Sequence, residues 1–464
     1  MDSAYLSANK AKPSLRQLQW QKTEFYGLIS YGMPVFTGKQ YGDGFTPPSV
    51  FWPEAMNVDG WCLTAKAAGM QGLVLTCKHY DGFCLWPTAY TDYSVKNSSW
   101  LNGEGDLVRM TADACRRHGL KFGVYIAPWD RHEKSYGSGK AYDDYFCALL
   151  TELLTDYGEL FCVWLDGICG AGETKMQAYD WGRYYRLIRE LQPNAVISFH
   201  GPDVRWGGND RGATRNDEWS PLPAGLGVYE DGTSAEIKNK KNNSLMAPDL
   251  GSRKAIKHET EFIWYPCEVS VPMRSDWFYN ADDKYSMKTK DKLLKLYYNS
   301  VGNNSCLMLG LSPDKRGELD EKDVQILTAF GKDLKMLFGG NIIENSGTIS
   351  EKGLGQKKEL DVLRTNNAEF WSFSEKRPAE LHIKFDKEEM FDKVVLQENI
   401  ANGQHIEAFS VFCLTEKNKW KSLYNGGTVG YKRICPIAPV KCRELKIIIE
   451  KFRDCFELSY IQIN

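Results

Sequence analysis

Asp166 stands where an apolar run ends. In LFCVWLDG, six apolar residues from Leu160 to Leu165 lead into the carboxylate, and a glycine follows it. A strand buried on both faces reads as such an uninterrupted run, and an ionised carboxylate within it is costly to desolvate. At the end of the strand, facing a cleft, the same group is a candidate nucleophile. Polar residues close other runs in the same way: His79 and Asp81 after GLVLTCK, Trp129 to His132 after FGVYIAP, His200 and Asp203 after AVISF, and Glu268 and Arg274 around FIWYPCEV. Aromatic residues sit beside acids and amide donors in HYDGFCLWPTAY, PWDRH, RWGGND, DEWS and SDWFY. An aromatic wall with a polar rim suits a sugar ring, which has an apolar C–H face and a hydroxylated edge. Hydrolysis of a glycoside needs a second carboxyl across the scissile bond, about 5 to 5.5 Å away for retention and roughly 6.5 to 9.5 Å for inversion.

Other chemistries lack their parts. There is no phosphate-cradling glycine loop, no G-x-S-x-G elbow and no H-E-x-x-H, so neither a nucleotide cofactor nor a catalytic metal is expected. The thirteen cysteines include no C-x-x-C pair, and many fall inside apolar runs, which suits buried thiols better than disulfides or zinc. A formal net charge of -2 with no long block of like charge disfavours nucleic acid as a partner. No apolar window approaches the roughly 18 to 20 residues of a membrane span. MDSAYLSANK is not a signal peptide, so a periplasmic or secreted location is expected only if an export signal has been removed; the compartment is otherwise open.

Short apolar runs must position these groups. FYGLIS, GLVLTCKH, FGVYIAP, LFCVWLD, AVISFHG, FIWYPCEV and CLMLGLSP alternate with segments of helical period such as DLVRMTADACRRHG and YDDYFCALLTELLTDYG. Strand, helix, strand repeated this often predicts a parallel sheet. With no G-x-G-x-x-G after the first run, and with polar residues after many runs rather than one, a (β/α)8 barrel is expected rather than an open sheet. Its active site would lie at the C-terminal strand ends, which gives Asp166 its use. Beyond DEKDVQILTAFGKDLKMLFG the pattern changes to short alternating runs, ELHIKFD, DKVVLQEN, FSVFCL and ELKIIIE. We therefore expect a catalytic barrel over residues 1–340 and an all-β sandwich over 341–464. Trp371, Trp420 and Tyr431 of the sandwich could bind sugar, although core packing accounts for them.

KFGVYIAPWDRH, VWLDG, GPDVRWGGND, EWS, CEVSVPMRSDWFY and YYNSVGNNSCLMLGLSPDKRG, in this order and spacing, resemble the retaining α-L-fucosidases of glycoside hydrolase family twenty-nine. The resemblance runs from about Phe25 to Phe338, and LQENIANGQHIEAFSVFCL is similar to the sandwich that follows the barrel in that family. It implies hydrolysis of terminal α-L-fucose from oligosaccharides or glycoconjugates by double displacement, with Asp166 as nucleophile. GPDVRW and PWDRH are most similar to the subgroup preferring α-1,3 or α-1,4 linkages. That subgroup carries its acid/base as Glu in G-N-E; here Gly208 and Asn209 precede Asp210, whose side chain is one methylene shorter. Glu218, in EWS, is the alternative acid, with Glu268 read as a buried structural carboxyl.

The resemblance also implies sugar contacts from His79, from Trp129, Asp130 and His132 in PWDRH, and from Arg274 and Trp277 in MRSDWFY. Two further positions depart from the family. Ser30 and Tyr80 stand where relatives carry histidines that bond fucose hydroxyls. A pocket so altered could suit another L-sugar such as L-galactose, which is fucose with a C6 hydroxyl, because an apolar slot rejects an added hydroxyl by only about 100-fold. A catalytically impaired sugar-binding protein is the third reading. Lys78 is read as structural, pairing with an acid.

Overall fold

The computed structural model describes residues 3–169, 173–238, 244–283, 286–353, 358–367 and 369–464. Eight parallel strands form the first layer: β1 (Phe25–Ile29), β2 (Gly72–Lys78), β3 (Lys121–Ile126), β4 (Cys162–Leu165), β5 (Val196–Phe199), β6 (Arg205–Trp206), β7 (Cys267–Pro272) and β8 (Ser305–Leu311). They pair in chain order, and β8 returns to β1 with Phe25 opposite Leu307. A single bridge from Ser198 to Val204 joins β5 to β6 and closes the ring. All seven residues of β2 and all seven of β8 are buried, which is why these strands read as largely apolar runs in the sequence.

The outer layer comprises α1 (Val58–Ala67), α2 (Leu107–His118), α3 (Lys140–Asp156), α4 (Trp181–Leu191), α5 (Lys290–Ser300) and α6 (Glu321–Phe338). Their ends follow local chemistry. Asn57, Asp106 and Asp180 cap α1, α2 and α4 by accepting from backbone N–H groups three residues on. Gly119 ends α2 in the left-handed region with φ 66°. None of the described helices is long and apolar enough to cross a membrane.

The ring departs from the expected pattern between β5 and β7. FIWYPCEV is not one strand: Phe262–Trp264 pairs with Pro221–Pro223 in a separate ribbon, and the barrel strand begins at Cys267. The missing strand is β6, two residues in GPDVRW, too short to show any period. No helix links it to β5. Instead the chain reverses at Phe199, a non-glycine residue at φ 67°, and runs back until Asp203 Oδ2 accepts from Ile197 N at 2.8 Å. Asp203 is thus carried away from the C-terminal rim and is paired with Arg16 and Arg189.

The second unit is a folded-over antiparallel sheet. ELHIKFD and DKVVLQEN are one long strand, Ala379–Glu398, paired with Arg433–Phe452 through register shifts at which both bend. Thr348–Glu351, Trp371–Phe373, Ile406–Leu414, Trp420–Gly426 and Phe456–Ile463 complete the sandwich around a separate core that includes Leu381, Val394, Val411 and Ile447. Trp371 is buried in that core, and Trp420 lies beneath the Lys446 ammonium, 4.4 Å from its ring centroid. All thirteen cysteines are free thiols, and eleven are buried.

Candidate active site

A cavity of about 170 Å³ opens at the C-terminal end of the barrel. Ser30, His79, Tyr80, Asp166, Asp210 and Trp277 line it together, although they come from distant parts of the chain. Trp164, Phe199, Trp206 and Phe278 supply much of its aromatic wall. Trp164 lies parallel to Phe199 (centroids 4.5 Å apart) and to Tyr125 (5.1 Å), so three neighbouring strands present one continuous π surface. Beneath it Glu268 accepts from Trp164 Nε1 at 2.8 Å, from Ser198 Oγ at 3.2 Å and from the Tyr26 hydroxyl, as a buried acid that locks the floor.

Asp166 follows the last residue of β4, with its N–H still donating to Ile126 O at 3.3 Å in the ladder direction. Its two oxygens differ. Oδ2 accepts from the Tyr125 hydroxyl at 2.6 Å and from the Tyr80 hydroxyl, whereas among the described residues Oδ1 accepts only from Ile168 N at 3.3 Å. Burial pushes the carboxyl up to about 6, against the opposing pull of the two tyrosine hydrogen bonds. The same burial, with the nearby carboxylate, pushes both phenols far above their usual range, so they remain donors.

Asp210 reaches the cavity from a loop that leaves β6. Gly208 makes the approach possible: its φ is +91°, and a Cβ there would lie 2.2 Å from Met246 Sδ. Asn209 then braces the loop, its Oδ1 accepting from Ala213 N at 2.9 Å and its Nδ2 donating to Ala213 O at 3.0 Å. Partial burial raises the Asp210 carboxyl above its ordinary range, against a smaller opposing pull from the Trp277 side chain. Trp277 itself lies over Gly310 of β8, where a Cβ would come within 2.7 Å of the indole.

His79 lines the cavity as a neutral imidazole, because burial and the adjacent Lys78 charge push it down to about 3. Its Nδ1 is buried and has no hydrogen-bond partner among the described residues. Lys78 is indeed structural: its ammonium donates to Ala127 O at 2.8 Å and lies 3.1 Å from Asp130.

The remaining expected contacts lie outside the cavity lining. Trp129 packs behind Tyr80, with centroids 4.5 Å apart. Asp130 is turned into its own loop, accepting from His132 N and Glu133 N at 2.9 and 2.8 Å. His132 stacks on Tyr93 and bonds Gly44 O at 2.7 Å through Nδ1. Arg274 pairs with Asp323 at 2.9 Å and with Asp320 at 3.3 Å. Glu218 is buried between Arg205 and Arg215 and lines a different space, of about 200 Å³, behind the Asp210 loop. These five residues build the loops rather than touch the cavity.

Tyr125 is the main residue that sequence reasoning missed. A phenol one place from the end of an aliphatic strand, next in the sheet to the strand that bears Asp166, was the available signal. Tyr41, which also lines the cavity and is 56% exposed in a glycine-rich loop, gave none.

A closed parallel barrel whose C-terminal rim holds two carboxyls in an aromatic, hydroxyl-lined cavity is the architecture of a glycoside hydrolase. The Alpha-L-fucosidase family model matches residues 8–337. Alpha-L-fucosidase 1 of Arabidopsis thaliana is 35% identical over 97% of this chain and 86% of its own. Among solved structures, a putative alpha-L-fucosidase from Bacteroides ovatus is 36% identical with a TM-score of 0.86, covering 98% of this chain and 74% of that one. A Ruminococcus gnavus GH29 fucosidase in complex with fucose is 27% identical with a TM-score of 0.85, covering 98% and 94%. The chain belongs to the α-L-fucosidase family, glycoside hydrolase family twenty-nine.

Proposed function

We propose that this enzyme is an exo-acting retaining α-L-fucosidase that removes terminal α-L-fucose by double displacement. The observation that carries the reading is that Asp166, just past β4, and Asp210, on the loop after β6, line one small aromatic cavity. Asp166 Oδ1, held by one long hydrogen bond from Ile168 N, attacks C1 while Oδ2 stays with Tyr80 and Tyr125. The C1–O bond to the aglycone breaks as Asp210 gives its proton to the departing oxygen. Water then attacks C1, Asp210 takes its proton, and the ester bond to Asp166 breaks. Two inversions leave the α anomer. His79, neutral and with a spare Nδ1, is assigned to a sugar hydroxyl.

Fucose is preferred because Leu28, Ile168, Phe278 and Met308 make much of the lining apolar, which suits a C6 methyl group. An α-L-galactoside is the second reading, favoured by the Ser30 and Ser270 hydroxyls in the same lining. For linkage we propose α-1,3 or α-1,4, on the resemblance of GPDVRW and PWDRH. The test is to incubate the protein with aryl α-L-fucoside, fucosylated trisaccharides and α-L-galactosides, following the first sugar released by NMR. Release of α-L-fucose is expected. First release of the β anomer would overturn the retaining mechanism, and galactose released faster than fucose would favour the second sugar.

The pH profile follows from the buried nucleophile. In Asp210→Asn, with an activated aryl fucoside that needs no acid, kcat/KM is expected to rise through a single limb near pH 6. Below the value of about 6 the Asp166 carboxyl is protonated and cannot attack; above it the anion is present. Tyr125→Phe removes a hydrogen bond that lowers this pKa, so the limb should move to higher pH. A limb that moves to lower pH would contradict the assignment.

A further inference from the structure

Resting on Asp210 as the acid, we infer that Glu218 is a positioning residue that clamps both ends of the Asp210 loop, and that the sandwich holds the clamp closed. Glu218 has one oxygen on each flank of that loop. Oε1 accepts from Arg205 Nη2, on β6 just before the loop, and Oε2 accepts from Arg215 Nη1 at 3.1 Å, just after it. The Arg205 and Glu218 side chains are 0% and 3% exposed, so the pairing is shielded from water and salt. Each arginine is itself fixed to backbone: Arg205 Nε donates to Tyr265 O at 3.0 Å, and Arg215 Nε donates to Ala247 O at 2.7 Å. A planar guanidinium held at several points sets direction as well as distance. Between these anchors the loop delivers Asp210 to the cavity, while Gly207, Asn209 and Ala213 face the space that Glu218 lines.

The clamp is locked from outside the barrel. Gln404, in the sandwich loop GQH, donates to Glu218 O at 3.0 Å and accepts from Ser220 N at 2.9 Å. Asn304, just before β8, donates to the same Glu218 O at 3.0 Å, and its own oxygen accepts from Tyr431 N at 2.8 Å. Asp217 accepts from Thr428 N at 3.0 Å. The segment that follows the loop is therefore bonded to the sandwich through Asp217, Glu218 and Ser220. A carboxyl one methylene shorter than the usual glutamate reaches less far from its backbone, so the placement of that backbone governs proton transfer.

The test compares full-length Glu218→Gln and Gln404→Ala with the parent on two substrates, a fucosylated trisaccharide and dinitrophenyl α-L-fucoside. A displaced acid affects only the poor leaving group. In Glu218→Gln, kcat on the trisaccharide is expected to fall about 100-fold while the dinitrophenyl rate changes by less than about threefold. Gln404→Ala touches no reacting group and leaves the ion pairs in place, so it covers the case in which Glu218→Gln does not fold. It should lose about tenfold on the trisaccharide alone, with KM nearly constant. Equal losses on both substrates, or none on either, would overturn the inference. Azide addition separates this from failure of the underlying reading. Asp210→Ala should yield fucosyl azide of the substrate's own anomeric configuration, and Glu218→Gln should yield none. If Glu218→Gln alone yields it, Glu218 is the acid, and the reading falls together with the inference.

Discussion

Asp166→Asn is expected to lower kcat on every α-L-fucoside by on the order of 10⁵-fold, because an amide oxygen does not form the bond to C1 that divides the reaction into two steps. The fold should survive. The carboxyl is buried and already raised to about 6, so at that pH half of it is neutral, and a neutral isostere can still accept from Tyr80 and Tyr125. Thermal melting close to that of the parent, together with the kinetic loss, would place the effect in chemistry rather than stability. Asp166→Gly makes room for a small anion, and azide should then restore turnover of activated substrates with inversion at C1. A variant with normal melting and more than a few per cent of the parent rate would remove Asp166 from the mechanism.

The second large effect belongs to Asp210→Ala, and its size should depend on the leaving group. General acid catalysis contributes about 10² to 10⁴-fold, so release from a fucosylated trisaccharide should fall by roughly 1,000-fold. A dinitrophenolate leaves without a proton, and formation of the glycosyl-enzyme from that substrate should be nearly unchanged. Breakdown of the intermediate also loses its base, so a rapid burst followed by slow turnover is the expected time course. Uniform loss on both substrates with no burst would contradict the assignment of Asp210. The geometry favours the assignment. Asp210 lines the cavity with Asp166 and Trp277, whereas Glu218 has both oxygens taken by arginines.

The barrel was legible because burial on both faces writes itself as apolar runs, and β2 and β8 are instances in which every residue is buried. β6 was not legible, since two residues carry no period and the buried one is an arginine. FIWYPCEV misled for the opposite reason: two separate strands that meet at Tyr265 and Pro266 read as one. In the sandwich, alternation marked the strands, but bends at register shifts hid the fact that two runs were one strand.

The site divided along similar lines. Asp166 could be found from its place at the end of a run. Asp210 could not, because its loop has no regular structure, and only the resemblance pointed to it. PWDRH and MRSDWFY were read as sugar contacts, yet Asp130, His132 and Arg274 use their polar groups on backbone and neighbouring acids. Charged and aromatic residues are needed to hold a loop in place as well as to touch a ligand, and a motif does not distinguish the two. Tyr80, read as a departure at a sugar-contacting position, turns out to donate to Asp166, so its phenol acts on that carboxyl.

The most direct measurement is to trap the sugar on the enzyme. An L-fucosyl fluoride with fluorine at C2 destabilises both oxocarbenium-like transition states, while its reactive leaving group keeps the first step fast, so the ester accumulates. After brief incubation, proteolysis and mass analysis of the peptide containing LFCVWLDG should show one deoxyfluorofucosyl group, localised by fragmentation to Asp166. An enzyme that consumes the reagent while that peptide stays unmodified, or that carries the label on another residue, would contradict the account.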